Sequence, residues 1–423
     1  MVIYVVKQGD SIYSVARSYG VSTAAIIDAN GLTNPGRLVI GQALVIPNPA
    51  AYTVKSGESL FAISRKFGIT QAALQRANPQ ITDPSRLTVG QVINIPPQPK
   101  LGTIYVNGYA FPNIDMTLLQ SVLPHLTYLS IFSYQVRPDG SLITINDTAL
   151  IQAARAANVA PMMVITNIAE SGGFSSELAN TILNNQAVQN TLLDNVIATL
   201  QSKNYFGLDI DFEYVFPRDR QAYNAFLRKV AARIKPMGYT LTTAVAPKTS
   251  ASQPGLLYEA HDYPVHGEVA DHVIIMTYEW GYTFGPAQAV APLNQVRRVI
   301  EYAVTAIPRQ KILMGIPNYG YDWTLPFVRG SAARTLSNVQ AVEQAARVGA
   351  NIEFDTTAQS PHYFYYSAGR RHEVWFEDAR SIRAKLLLVT QYNLGGISYW
   401  TINRAFPQNW TVLDFMYNVR KLI

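Results

Sequence analysis

The chain has 423 residues, of which 48% are hydrophobic and 15% charged, so it is long enough to bury the cores of more than one domain. It contains no cysteine, which excludes disulfides, thiolate metal sites and a cysteine nucleophile. The net charge is +6, and residues 1–97 carry eight Lys or Arg against four Asp or Glu. That local excess fits either a solvated face or attraction to an anionic surface.

The sequence lacks the patterns of a membrane or nucleic-acid-binding protein. No apolar run reaches the roughly 18 residues of a membrane helix, and no Lys/Arg cluster coincides with a nucleic-acid-binding motif. The start "MVIYVVKQGDS" has neither the basic segment nor the long apolar core of a classical secretion signal. We therefore expect a globular protein that binds no nucleic acid and does not insert into membranes.

Two copies of one unit open the chain. "YVVKQGDSIYSVARSYGVSTAAIIDANGL" aligns with "YTVKSGESLFAISRKFGITQAALQRANPQ", and "LVIGQALVIP" aligns with "LTVGQVINIP". Each copy begins with a β-rich run and a Gly-acid-Ser turn, whose serine can cap a helix. A second helix ends near "AN", and a closing strand stops at Pro47 or Pro96. The pattern predicts a βααβ unit over residues 2–47 and another over 51–97.

The repeated unit resembles the LysM module, a family that binds N-acetylglucosamine-containing glycans such as peptidoglycan and chitin. In that family the sugar lies in a shallow groove between the first strand-to-helix loop and the loop after the second helix. The resemblance implies the following glycan-binding positions: Gly9, Asp10, Ser11, Ile12, Asn30 and Gly31 in the first copy, and Gly57, Glu58, Ser59, Leu60, Asn78 and Pro79 in the second. The alternative is that these residues only build the fold.

The proline-rich "IPPQPK" separates the repeats from a larger domain over residues 101–423. Amphipathic stretches such as "LANTILNNQAVQNTLLDNVIATLQSK" and "RQAYNAFLRKVAARIKPMG" alternate there with eight runs typical of strands. The runs are "GTIYVNGY", "LTYLSIFSY", "APMMVITN", "FGLDIDFEY", "TLTTAVAPK", "DHVIIMTYEW", "KILMGIPNYG" and "GGISYWTIN". This alternation predicts a multidomain chain ending in a (β/α)8 TIM barrel.

Two further features refine that architecture. An open Rossmann-like sheet is the alternative, but no G-x-G-x-x-G follows the first strand. The segment of about 323–380 is too long for one connection and contains its own strand patterns in "HYFYYS" and "HEVWFED". It predicts a small α+β insertion after strand seven.

Three acidic residues alternate with apolar ones in "YFGLDIDFEY". Period-two alternation is typical of a strand, so Asp209, Asp211 and Glu213 should share one face. Burying each carboxylate costs several kcal/mol unless it shares protons, accepts hydrogen bonds or meets water. Barrel enzymes place their sites at the carboxyl ends of the strands, so the pattern favours a catalytic site with Glu213 uppermost.

"FGLDIDFE" resembles the D-G-x-D-x-D-x-E motif of the family 18 glycoside hydrolases, with Phe206 in place of the leading acid. "MTYEW", "GIPNYGYDW" and "GGISYW" extend the resemblance along residues 101–423. It implies retaining, substrate-assisted hydrolysis in which Glu213 is first general acid and then base. Asp211 would orient the acetamido N–H, Asp209 would share its proton, and Tyr278 would hydrogen-bond the acetamido carbonyl.

The same resemblance implies that Trp400 floors the distorted sugar. Weaker candidates for substrate contact are Tyr109, Gln135, Asn167, Asn318, Tyr319 and Tyr392. The mechanism needs no cofactor, and the histidines show no metal-binding spacing. Phe206 lies farthest from the expected cleft, so we expect it to change core packing and leave activity intact.

The combination of tandem LysM units and this barrel resembles the spore-associated N-acetylglucosaminidases that degrade cortex peptidoglycan. The resemblance implies a place in the spore envelope, reached without a classical signal peptide. The alternatives are a LysM chitinase acting on chitin and an inactive glycan-binding lectin. No pattern in the sequence sets an oligomeric state.

Overall fold

The two repeats fold as βααβ units in the computed structural model, which describes residues 1–423. The elements of the first copy are Val2–Val5, Ile12–Tyr19, Thr23–Asn30 and Ala43–Ile46. Those of the second are Ala51–Thr53, Leu60–Lys66, Gln71–Arg76 and Val92–Asn94. The two strands of each copy pair antiparallel, and the helices cover a small apolar core of their own.

The Gly-acid-Ser turn builds this unit in both copies. The side chains of Ser11 and Ser59 accept a hydrogen bond from the first turn of the following helix, as N-caps do. The acids Asp10 and Glu58 accept from the hydroxyl of the tyrosine that begins each copy, at 2.7 and 2.9 Å. The turn is therefore fastened to the first strand and to the first helix.

Eight parallel strands form the larger domain. They are Thr103–Ala110, Tyr128–Val136, Ala160–Thr166, Gly207–Asp211, Thr240–Val245, His272–Ile275, Ile312–Pro317 and Gly396–Trp400, numbered here as barrel strands 1 to 8. Each strand pairs with the next, and strand 1 pairs with both strand 2 and strand 8. The sheet is therefore closed, which confirms the TIM barrel and excludes the open sheet.

Helices surround the barrel on its outer side. They are Met116–Val122, Thr148–Ala156, Ser176–Leu183, Gln186–Lys203, Arg220–Ile234, Tyr263–Val269, Leu293–Ala306, Ala379–Tyr392 and Pro407–Met416. Short 3-10 turns occur at Leu123–His125, Pro217–Asp219, Lys235–Met237 and Arg309–Lys311, and short strands at Leu142–Ile143 and Asn418–Val419 extend the sheet. The helical stretch before strand 4 divides because the Asn185 side chain accepts from two following backbone N–H groups and so begins a new helix.

The insertion between strand 7 and the last two barrel helices is an antiparallel sheet with one helix. Its elements are Gly320–Leu325, Arg334–Leu336, Asn338–Val348, Glu353–Asp355, Ser360–Ser367 and Arg370–Trp375. The α+β insertion expected from about 323 to 380 is present, and its first strand begins at Gly320. The segment Ala379–Tyr392 is a barrel helix because its apolar side, including Ile382 and Leu386, joins the barrel core.

Barrel strand 4 has an apolar outer face and an acidic inner one. Leu208, Ile210 and Phe212 are fully buried against the surrounding helices. Asp209 and Asp211, which alternate with them, therefore point into the barrel. At the opposite end of the strand from the cleft, Phe206 packs near Tyr128 at a ring separation of 6.4 Å, as expected for a packing residue.

The first LysM copy is docked on the barrel domain. Gln408, at the start of the last barrel helix, donates to Asn30 Oδ1 at 2.8 Å and to the Ala43 carbonyl at 2.7 Å. The backbone N–H of Ile352 in the insertion donates to the Ile40 carbonyl at 2.8 Å. Backbone-directed hydrogen bonds of this kind fix the orientation of one domain on another.

The docking contact predicts a difference between two equivalent glycines. Gly41 and Gly90 both have positive φ, +84° and +87°, so alanine at either site costs about 1 kcal/mol of backbone strain. A Cβ on Gly41 would also lie 1.8 Å from the Ile352 carbonyl oxygen, whereas one on Gly90 would meet nothing within 4 Å. We expect Gly41→Ala to lower the melting temperature of the full chain clearly more than Gly90→Ala in scanning calorimetry. Equal losses would contradict the docked arrangement.

Candidate active site

A cleft of about 390 Å³ opens at the carboxyl ends of the barrel strands. Its walls are largely aromatic, and its titratable side chains are acids and tyrosines, with no Lys, Arg or His. The lining residues are Tyr109, Phe174, Asp211, Glu213, Tyr214, Ala244, Pro247, Leu257, Tyr258, Met276, Tyr278, Glu279, Trp280, Tyr282 and Trp400. Carboxylates in such surroundings have few cations to balance them, which favours their protonated forms.

Asp209 lies deepest of the three strand-4 acids and is fully buried. Tyr109 donates to its Oδ2 at 2.5 Å, and Thr242 donates to its Oδ1 at 2.6 Å. Burial raises the pKa of Asp209 to about 6, although these two hydrogen bonds act in the opposite direction. Tyr109 is therefore both a cleft-lining ring and the anchor of this carboxylate.

Asp211 is the unsatisfied member of the group. Its Oδ1 is buried and has no hydrogen-bond partner within the protein. Burial, followed by the nearby Glu213 and Asp209 carboxylates, raises the pKa of Asp211 well above its usual value. Asp211 lines the cleft, and an unpaired, desolvated oxygen on such a residue is suited to bind a polar group of an incoming ligand.

Glu213 lies just beyond the strand, which ends at Asp211. Its backbone is held at both ends by the side chain of Asn167: the Glu213 N–H donates to Asn167 Oδ1 at 2.9 Å, and Asn167 Nδ2 donates to the Glu213 carbonyl at 2.8 Å. Asn167 was predicted to contact substrate; in the structure its amide positions Glu213, and it is not among the residues that line the cleft. The following residue, Tyr214, has a φ of +54°, a strained conformation for an aromatic residue.

The environment of Glu213 suits proton transfer. Burial, and next the Glu279 carboxylate, raises the pKa of Glu213 to about 7. A carboxyl group with this pKa can give up a proton and take one back near neutral pH. The expected role of Glu213 as acid and base is supported by its surroundings, and it remains a proposal.

Glu279 is the residue that sequence reasoning missed. It follows Tyr278 after strand 6 with a φ of +68°, and the hydroxyls of Tyr319 and Tyr321 donate to its Oε1. Burial raises its pKa, opposed by those two tyrosines. Tyr319 was expected to contact substrate, but its hydroxyl is bonded to Glu279. The signal for Glu279 was present in "MTYEW", where an acid follows the tyrosine at a strand end.

Tyr278 reaches the cleft because strand 7 has a glycine beside it. A Cβ on Gly315 would lie 2.8 Å from the Tyr278 ring and 2.6 Å from the Ile275 carbonyl oxygen. Burial, then the charges of Asp211 and Glu213, raises the pKa of Tyr278 far above its usual value. Tyr278 therefore stays protonated and presents a hydrogen-bond donor to the cleft.

Trp400 forms an aromatic floor at the end of strand 8. Its ring is half-buried and meets the edges of Tyr109, Phe132 and Phe111 at centroid separations of 5.4, 4.9 and 5.8 Å. These rings hold the indole at a fixed tilt while leaving part of it open to the cleft. Trp400 thus lines the cleft, and its sugar-binding role stays a prediction.

Three other predicted contact residues do not line the cleft. Asn318 donates to the Thr401 and Arg404 carbonyls at 2.9 and 2.8 Å and so holds the loop after strand 8. Tyr392 lies on an outer helix, where its hydroxyl bonds to a glutamate of the neighbouring helix. Gln135 pairs with a short hairpin strand at the end of strand 2. A position near the end of a strand was therefore not enough to distinguish these three residues from those that line the cleft.

The predicted glycan-binding residues of the LysM copies fall into three groups. Ile12 and Leu60 are core residues, and the capping serines and turn acids serve the fold as described above. Asn30 and Asn78 are buried and bond to the backbone of their own unit, at 2.7–2.8 Å. Gly9, Gly57 and Pro79 are exposed, as are the capping serines Ser11 and Ser59, whereas Gly31 is partly covered by the barrel.

The structure brings together no group of three His, Cys, Asp or Glu residues able to hold a metal ion. None of its helices has both the length and the apolar composition needed to cross a bilayer.

The pairing of Glu213 with Glu279 predicts a measurable shift. Glu279→Gln removes a negative charge that favours protonation of Glu213, so the pKa of Glu213 should fall below its value of about 7. Carboxyl-carbon NMR titration with labelled glutamate measures this directly. Glu268→Gln, at a surface ion pair with Arg228, is the matched control and should leave the Glu213 titration unchanged. An unaltered Glu213 pKa in Glu279→Gln would contradict the coupling.

Comparison with known proteins agrees with this geometry. The chain matches the glycosyl hydrolases family 18 over residues 103–405 and the LysM domain over residues 4–47 and 52–96. It is 47% identical over 429 residues to the cortical fragment-lytic enzyme of Bacillus subtilis (strain 168), covering 100% of this chain and 99% of that protein. Its counterpart in Bacillus anthracis is 42% identical over 427 residues, with 99% of each covered.

A solved structure resembles the whole chain. The crystal structure of the Bacillus megaterium QM B1551 spore cortex-lytic enzyme SleL superposes with a TM-score of 0.90 at 42% identity, covering 100% of this chain and 99% of that one. The likeness thus includes the repeats as well as the barrel. The chain belongs to the family 18 glycosyl hydrolases, and it is a glycoside hydrolase with two LysM domains ahead of its TIM barrel.

Proposed function

We propose that the enzyme is an N-acetylglucosaminidase that cleaves the β-1,4 bond after N-acetylglucosamine in spore cortex peptidoglycan, with retention and with assistance from the substrate. The observation that carries the proposal is the pair formed by Glu213, whose pKa is raised to about 7, and Asp211, whose Oδ1 is buried without a partner. One group can transfer a proton, and the other can bind an acetamido N–H.

The first step breaks the glycosidic bond. Glu213 donates its proton to the leaving oxygen, the C1–O bond breaks, and the acetamido oxygen of the same sugar attacks C1 to form a cyclic oxazolinium. Asp211 accepts a hydrogen bond from the acetamido N–H and stabilises the positive charge that develops there. The Tyr278 hydroxyl donates to the acetamido oxygen and holds it below C1, while Trp400 packs on the apolar face of the ring.

The second step restores the enzyme. Glu213, now a carboxylate, removes a proton from water. The water oxygen attacks C1 on the face of the sugar that the leaving group had occupied. The C1 bond to the acetamido oxygen breaks, which regenerates the acetamide and gives a sugar with retained configuration. Asp209 supports both steps because its carboxyl group acts electrostatically on the titration of Asp211. Tyr109 and Thr242 hold Asp209 in place.

The choice of substrate rests on the relatives. Two cortical fragment-lytic enzymes and the spore cortex-lytic enzyme SleL align with essentially the whole chain. LysM domains supply affinity for glycans that contain N-acetylglucosamine, and we infer that the enzyme works in the spore envelope. A chitinase would use the same chemistry, whereas an inactive lectin is disfavoured by the intact acid and carboxylate group.

Product analysis separates the two enzymatic alternatives. Digested spore cortex is reduced with borohydride, and the new reducing ends are identified; an N-acetylglucosaminidase yields N-acetylglucosaminitol. We expect these ends from cortex or its soluble fragments and little release from chitin. Faster hydrolysis of chitin would support the chitinase, and reduced muramic ends would overturn the assigned bond.

Replacing the acid tests the mechanism. Glu213→Gln keeps the size of the side chain but removes the transferable proton, so turnover should fall by about 10²–10⁴-fold. The melting temperature and binding to insoluble cortex should stay near those of the wild type. Turnover is measured on soluble muropeptides, and Glu268→Gln, a surface site, is the control for the amide substitution itself. Wild-type turnover in Glu213→Gln would exclude this residue as the acid.

A further inference from the structure

The two LysM copies differ in what surrounds the loop that follows the second helix. We call this the second-helix loop, residues 30–38 in the first copy and 78–87 in the second. In the first copy it faces the barrel domain: a Cβ on Gly31 would lie 2.5 Å from Pro407 Cγ, and Thr411 donates to the Ala29 carbonyl at 3.2 Å. Farther along, Thr33 donates to Glu343 of the insertion at 2.7 Å.

The second copy leaves the same positions free. The side chain at Val92 is 59% exposed, whereas its counterpart Ala43 is 2% exposed beneath the barrel. Asn78 Oδ1 accepts a hydrogen bond from Gln80 of its own loop at 3.1 Å, in the place where Asn30 Oδ1 accepts one from Gln408 of the barrel domain. Pro79, which replaces Gly31, is exposed.

The first strand-to-helix loop, which is the other wall of the groove that the LysM resemblance implies, is followed by an exposed aromatic ring in both copies. Tyr13 and Phe61 occupy equivalent positions at the start of the first helix, next to the capping serine, and are 68% and 57% exposed. A large aromatic ring exposed beside a polar turn is suited to pack on the apolar face of a sugar. A glycan that needs both walls can use this ring only where the second-helix loop is also free.

The first copy in turn holds the second. The rings of Tyr19 and Phe67 meet edge to face at 6.3 Å, and Lys55 Nζ donates to the Arg17 carbonyl at 2.7 Å. The first copy contacts the barrel on one side and the second copy on the other. The first copy therefore lies between the barrel domain and the second copy.

We propose that the second LysM copy binds the N-acetylglucosamine-containing glycan through Phe61 and its free second-helix loop. The first copy, docked on the barrel domain, sets the distance between the second copy and the catalytic cleft. The ligand class rests on the proposed function; the division between the copies rests on their different contacts. The sequence implied glycan binding by both copies. The proposal restricts it to the second, because one wall of the first groove is packed against the barrel domain.

Matched alanine variants test this division. Phe61→Ala and Tyr13→Ala are made in full-length protein that also carries Glu213→Gln, so that the glycan is bound without being cut. Binding to insoluble cortex sacculi is measured by co-sedimentation across a range of sacculus concentrations. Phe61→Ala should weaken binding about fivefold, the scale of one lost aromatic contact. Tyr13→Ala should leave it unchanged. Equal weakening by both, or none by Phe61→Ala, would overturn the proposal.

A second measurement does not depend on any variant at these rings. Hydrogen exchange of the Glu213→Gln protein is followed with and without an N-acetylglucosamine hexamer. Backbone amides of residues 78–87 should gain protection, while those of 30–38 should not change on adding the hexamer. Protection of the first copy alone, or of both copies, would reject the division.

The two proposals fail in different ways. Release of reducing ends from soluble muropeptides by the wild-type enzyme reports on the cleft and does not require capture of a polymer. If that release is absent while Phe61→Ala still reduces sedimentation, the proposed function is wrong and the division of the copies stands. If release is normal while the variants bind alike, the division alone is wrong.

Discussion

Three neighbouring carboxyl groups, two on barrel strand 4 and one just beyond its end, lie together in the barrel, and the rest of the site compensates for the negative charge that they cannot all carry. Asp209, Asp211 and Glu213 lie where water is scarce and no Lys, Arg or His lines the cleft. Full ionisation would place three like charges in a low dielectric, so burial and mutual repulsion retain protons on the group. A barrel normally fills this space with apolar side chains; here it holds the acids that the chemistry requires.

Neighbouring elements keep this charged group in a usable geometry. Tyr109 and Thr242 satisfy the deepest acid, and Asn167 holds the backbone of Glu213 at both its N–H and its carbonyl. The insertion contributes as well, because its first strand carries Tyr321, which together with Tyr319 binds Glu279. Glu279 then raises the pKa of the acid. The insertion is therefore part of the electrostatic environment of the cleft through its contact with Glu279.

The LysM copies illustrate how two near-identical folds acquire different surroundings. Both have a serine N-cap on the first helix, an equivalent buried asparagine and the same antiparallel strand pair. Only the first contacts Gln408 and Ile352, which leaves the second with an exposed loop. Their shared residues explain the fold of each unit, and the difference between them arises from contacts with residues far away in the sequence.

Local patterns in the sequence determined the repeats, the eight strands, the insertion and the acidic strand, because turn residues and period-two alternation act over a few neighbours. They also determined that Glu213 stands nearest the cleft. Only the tertiary structure decided which other polar residues meet there. Asn167, Asn318 and Tyr392 were plausible contacts by position, yet long-range hydrogen bonds commit them to backbone or to an outer helix. The role of Glu279 and the docking of the first LysM copy likewise depend on partners about 40 to several hundred residues away, which no local pattern records.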